Sequence, residues 1–114
     1  MVNAYFFDSS ALVKRYISEI GTSWILSITN STESSYFAAV DISWAEVLSA
    51  IGRRQREGNL SEERVASILR DVRRDFKNLY QMVKIDSNLI ERAGELVLQY
   101  LLRAYDAVQF ASAL

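Results

Sequence analysis

The chain has 114 residues, 50% of them apolar, with 13 Lys plus Arg against 14 Asp plus Glu and a formal net charge of -1. It contains no cysteine and no histidine, which excludes disulfides, thiol nucleophiles, Cys/His zinc sites and Ser-His-Asp triads and leaves carboxylate chemistry. This size suits one compact domain over residues 1–114. No apolar run is long enough for a bilayer span or a secretory signal, so a cytoplasmic protein is expected.

In chain order, Ala4 to Phe7 is a short apolar run without alternation, as expected of a strand buried on both faces, and Asp8 marks its end. Ser9 or Ser10 is expected to cap a helix through Ala11, Leu12, Val13, Tyr16 and Ile17. After Gly21 a second helix presents Trp24, Ile25 and Ile28. The polar segment 29–35 reads as a loop and Tyr36 to Val40 as a second strand. Ser43 then opens a helix carrying Val47, Leu48 and Ile51 that stops near Gly58-Asn59. Ser61 starts the most regular helix, with Val65, Ile68, Leu69, Val72, Phe76 and Leu79 recurring every three or four residues. Gln81 to Ile85 supplies a third strand, Asp86-Ser87-Asn88 leads into a helix through Leu89, Ala93, Leu96 and Val97, and a last helix begins about Asp106. Strands alternating with helices, in a chain without proline, predict an α/β architecture on a parallel sheet.

Three acids stand at element boundaries: Asp8, Glu46 and Asp106. Carboxylates drawn together repel one another unless a cation sits among them, so their convergence would make a metal site. Each also has a structural reading. Asp8 suits a turn after a strand, and Asp106 suits a helix N-cap. Ser43-Trp44-Ala45-Glu46 matches a capping box. At about 100° per residue, however, Glu46 falls opposite Trp44, Val47, Leu48 and Ile51, facing either solvent or a cleft. Ser10 is either a cap or a hydroxyl companion of Asp8.

Setting the three acids aside leaves 13 basic against 11 acidic residues, a mildly favourable surface for a polyanion. Lys14, Arg15, Arg53, Arg54, Arg56 and Arg103 could hold phosphates or simply be solvated. The run Arg70 to Lys77, with Asp71 and Asp75 among its bases, reads as an exposed salt-laced face. Trp24, Tyr36 and Trp44 are expected as core or interface anchors rather than base-stacking platforms. No GxGxxG or GxxxxGK[ST] phosphate loop is present.

Taken in order, FFDSSALVKRY, DISWAEVLSAIGRRQREG and LRAYDAVQFASAL resemble the PIN-domain ribonucleases, particularly the VapC-type toxins of toxin-antitoxin pairs, over essentially the whole chain. The resemblance implies a three-layer α/β/α sandwich with a central parallel sheet, a Mg²⁺ or Mn²⁺ ion, and cleavage of RNA by a toxin that forms homodimers and is inhibited by a cognate antitoxin protein. It assigns Asp8, Glu46 and Asp106 to the metal and makes Ser10 the hydroxyl companion of Asp8. The family pattern continues into a further strand and acid beyond the position of Leu114. The expectation is therefore a sheet lacking its last strand, with Val108, Phe110, Ala111 and Leu114 partly uncovered. The alternative is a catalytically impaired PIN-like module that binds a protein partner; a third reading is a small-phosphate hydrolase using the same acids.

Overall fold

The computed structural model describes residues 3–30, 35–100 and 103–114. The order is β1 (Asn3–Phe6), α1 (Ser9–Tyr16), α2 (Thr22–Thr29), β2 (Ser35–Val40), α3 (Ser43–Arg56), α4 (Glu62–Asn78), β3 (Tyr80–Val83), α5 (Ser87–Tyr100) and α6 (Ala104–Ala113). The three strands form one parallel sheet with β2 in the middle. This is the expected α/β class, PIN-like, with three strands among the described residues.

Register determines what each face does. Tyr5 lies opposite Phe37, and Phe37 opposite Tyr80. Because side chains alternate along a strand, Tyr5, Phe7, Phe37, Ala39, Tyr80 and Met82 share one face and join the main core with α1 to α4. Tyr5, Phe7 and Phe37 stack there with centroids 5.7–6.3 Å apart. A smaller cluster of Ala93, Leu96, Ala107 and Ala111 joins α5 to α6, and α6 also touches β2.

Local signals account for most boundaries. Ser61 caps α4 by accepting the Arg64 amide at 3.1 Å, as its position before the periodic run predicts. Helix α3 ends in a Schellman turn. Gly58, at φ +80°, donates to the Gln55 carbonyl, and Asn59 donates to that of Arg54, both at 3.0 Å. Other expectations shift. Segment 29–35 is shorter as a loop, since Thr29 ends α2 and Ser35 begins β2, while 31–34 lie outside the described residues. Helix α6 starts at Ala104, so Asp106 falls within its first turn and Arg103 occupies the cap position.

The exposed face expected for Arg70 to Lys77 is half wrong, for Asp75 is only 4% exposed. It accepts from Arg15 Nε at 3.0 Å, from the Tyr16 hydroxyl at 2.8 Å and from Arg74 Nε at 3.2 Å. The Tyr16 and Tyr80 hydroxyls lie 2.6 Å apart, and Arg15 also donates to Thr29 Oγ1 and Asn30 Oδ1. The network ties α1, α2, α4 and β3 together. A charge buried so deeply is tolerated only because it is paired and hydrogen-bonded.

Replacing Asp75 with Asn leaves the Arg15 guanidinium largely buried without its counter-charge. Urea unfolding is expected to register a loss of about 3–5 kcal/mol.

Burial, then the neighbouring Tyr80, push the Tyr16 hydroxyl far above its usual range. Burial likewise raises Tyr80 to about 12, partly offset by its hydrogen bond with Tyr16. Below the ordinary tyrosine value of 10.0 both states keep these protons. Above it the unfolded chain loses them first, so stability falls as pH rises. Denaturation midpoints should drop from about pH 10 upward, by as much as about 1.4 kcal/mol per pH unit for each tyrosine, and Tyr16→Phe should flatten the profile.

Candidate functional site

In a parallel sheet all strands end on the same side, and ligands collect beyond those ends. An open cavity of about 730 Å³ lies there, lined by Asp8, Ser10, Glu46 and Asp106, the four residues singled out from sequence, together with Arg103 and Gln109. Its floor includes Tyr5, Phe6 and Phe7 of the first strand segment, and Trp24 and Phe110 contribute aromatic surface.

Asp8 lies two residues after β1 and is itself the cap of α1, in place of Ser9 or Ser10. Its side chain accepts the Ala11 amide at 2.9 Å and the Ser10 hydroxyl at 2.8 Å. Both bonds fall on Oδ1, and neither uses Oδ2. Ser10 is thus the hydroxyl companion of Asp8 and not a cap.

Glu46 reaches the cavity because the capping box does not form. Ile42 occupies the cap position of α3 without a side-chain bond, and Ser43 is inside the first turn, fully buried, its Oγ lacking a hydrogen-bond partner among the described residues. The glutamate is half-buried in the cleft and accepts from Gln109 Nε2 at 3.3 Å, which links α3 to α6. Asp106, near the positive end of α6, accepts from Arg103 Nε at 3.0 Å.

The acids share a cavity, but no group of three or more acidic side chains is close enough among the described residues to enclose one ion directly. The donor set still suits a hard cation. All three are oxygen ligands, and Mg²⁺ is usually held by one or two carboxylates while keeping several waters. Charge points the same way: three carboxylates against one guanidinium leave the lining two charges negative, which one divalent ion cancels.

No protein-family model matches the chain. Ribonuclease VapC45 from Mycobacterium tuberculosis (strain CDC 1551 / Oshkosh) and Ribonuclease VapC49 from Mycobacterium tuberculosis (strain ATCC 25618 / H37Rv) are each 30% identical to it over 109 residues. The match covers 96% of this chain and 74% of each relative. The chain belongs to the VapC family of PIN-domain ribonucleases.

In this VapC-family chain the sequence reading did not assign Gln109 or Phe110 to the cavity; they are three and four positions after Asp106, so helical spacing from the acid could have flagged both. Trp24, expected as a core or interface anchor, is not in the core, being 63% exposed, whereas Trp44 does pack, edge-to-face on Phe76 at 5.4 Å. Of the basic candidates, Arg15 is committed to Asp75, while Lys14 and Arg54 pair with Glu19 at 3.4 and 3.2 Å. Only Arg103 of that group lines the cavity. On α6, Ala111 is buried and Val108 half-buried, while Phe110 and Leu114 are exposed.

The double duty of Asp8 can be separated. Asp8→Ala removes the cap and should cost about 0.5–2 kcal/mol, whereas Asp8→Asn keeps a capping oxygen and should unfold at nearly the wild-type urea concentration.

Proposed function

We propose that this chain is a Mg²⁺- or Mn²⁺-dependent endoribonuclease acting as the toxin of a toxin-antitoxin pair. The observation that carries the reading is the meeting of Asp8, Glu46 and Asp106 in one cavity beyond the strand ends, in a chain whose relatives are named ribonucleases. Membership of the family supports the coarse activity; the cavity chemistry supports the cation.

Asp8 and Asp106 are the acids to hold the ion, with Glu46 acting directly or through water. Bound there, the ion supplies charge neutralisation at the phosphate and a water acidified toward neutral pH. The protein's own residues do the positioning. Ser10 and the Ala11 amide orient the Asp8 carboxylate, and Gln109 steadies Glu46 across the gap between helices. Arg103, with 88% of its side chain exposed, gives up little in leaving Asp106, because exposed ion pairs are worth only about 0–1 kcal/mol. It is therefore free to meet a phosphate oxygen. No protein nucleophile is needed, in keeping with the absence of cysteine and histidine.

The reading extends to an RNA substrate, an antitoxin partner, a homodimer and a cytoplasmic location. The exposed Phe110, Leu114 and Tyr100 support contact with another protein surface. Among the described residues no helix is long and apolar enough to cross a membrane. The second reading, a PIN-like module that binds a partner without catalysis, is favoured by the lack of a closed three-carboxylate cluster among the described residues.

Cleavage of an RNA oligonucleotide should require Mg²⁺ or Mn²⁺, stop with EDTA, and fall at least about a hundredfold in Asp8→Asn and Asp106→Asn. Mn²⁺ should also raise the thermal midpoint of the wild type and not of Asp8→Asn. RNA cleavage that persists with both EDTA and Asp8→Asn refutes the reading. No cleavage and no shift with metal selects the noncatalytic module.

A further inference from the structure

Trp24 has no structural reason to be where it is. Helix α2 turns Ile25, Ile28 and Thr29 toward the protein, with Ile25 3% exposed, yet the indole one position earlier stands in solvent at 63% exposure. Its ring makes no aromatic contact among the described residues, unlike Trp44 and Phe110. Nor is it on a remote surface, for it lines the same cavity as the three acids and Arg103.

We propose that Trp24 is a stacking platform that seats one nucleobase of the RNA on its indole, beside the phosphate held at the acids. The inference rests on the ribonuclease reading and adds a substrate-positioning residue to it.

Three observations support it. A base offers a flat π-face to any exposed aromatic ring, and such stacking tolerates different bases while demanding that the base leave its helix. The cavity, about 730 Å³, falls in the range of roughly 300–1,000 Å³ that accepts a small ligand, which suits a nucleotide or two and not a duplex. Its lining also divides by chemistry: Asp8, Glu46, Asp106 and Arg103 provide the charged groups suited to a cation and a phosphate, while Trp24 and Phe110 provide apolar area that neither of those needs. A nucleotide has both halves. A protein segment docking on the same ring would make no demand for a π-face.

The test uses the full chain with Mn²⁺ and RNA oligonucleotides. In the otherwise wild-type chain, with a phosphorothioate backbone to slow cleavage, a single-stranded octamer is expected to quench tryptophan fluorescence, and the blunt duplex of the same sequence is not. Trp24→Leu, which keeps apolar area without a π-face, should weaken single-strand binding about tenfold or more, and Trp24→Phe should restore it to within a few-fold. In the otherwise wild-type chain, Trp24→Leu should raise KM and leave kcat within about twofold. Far-UV circular dichroism confirms that both variants fold, as an exposed position permits.

If the wild type cuts RNA with Mn²⁺ while Trp24→Leu binds and cuts equally well, the platform is overturned and the ribonuclease reading stands. Equal losses in Trp24→Leu and Trp24→Phe also overturn it, because they would assign the residue to packing or to a protein contact. Failure of the wild type to bind or cut any RNA ends both proposals.

Discussion

Parallel pairing of β1 with β2 is the constraint from which the site follows. With Tyr5 opposite Phe37 and Phe6 opposite Ala38, the two strands end side by side, and the chain leaves both at the same edge. Asp8 comes two residues after β1, and α3 starts three residues after β2. Two acids 38 positions apart in sequence are thereby delivered to one cavity, with α1 and α3 packed against each other. An antiparallel pairing would send Asp8 and Glu46 to opposite ends of the sheet.

Holding that edge steady is the work of the other end of α1. The helix begins with Asp8 as its cap and ends with Arg15 and Tyr16, which are bound to Asp75 of α4 and, through Tyr16, to Tyr80 of β3. The first acid is therefore carried on a helix pinned at its far end by a buried ion pair with fully shared hydrogen bonds. Such a pair often adds no more net stability than an apolar core of equal volume, but through Arg15 and Tyr16 it ties the end of α1 to α4 and β3.

The cavity shows the opposite economy of charge. Its acids come from the starts of α1, α3 and α6, and each has neighbours that orient it: Ser10 and the Ala11 amide for Asp8, Gln109 for Glu46, Arg103 for Asp106. None of these contacts neutralises the lining as a whole, which stays two charges negative. On the proposed function, a cation between this lining and a polyanionic substrate would offset the charge of both, and the aromatic surface of Trp24 and Phe110 would meet the uncharged part of a nucleotide.

Much of this was legible in the chain. Alternating apolar runs and periodic helices gave the α/β class; Ser61 and Gly58-Asn59 marked real helix ends; and the absence of histidine and cysteine narrowed the chemistry to carboxylates. Those are local matters, governed by propensity, capping and side-chain type within a few residues. Asp75 was misread as part of a solvated face because helical spacing reports which residues share a side, not what packs against it. Arg15 arrives from 60 positions away. The core alternative for Trp24 failed for the converse reason, since hydrophobicity alone favours burial and cannot see that the helix has already filled its inner face with Ile25 and Thr29. The capping box at Ser43 failed for a third reason, because tertiary packing took the serine fully into the interior and left Glu46 to the cleft. What the amino-acid order decided by itself was the kind of chemistry and the elements that carry it. Only the tertiary structure decided which acids share a space and what surrounds them, since convergence depends on strand pairing between segments that have no local knowledge of one another.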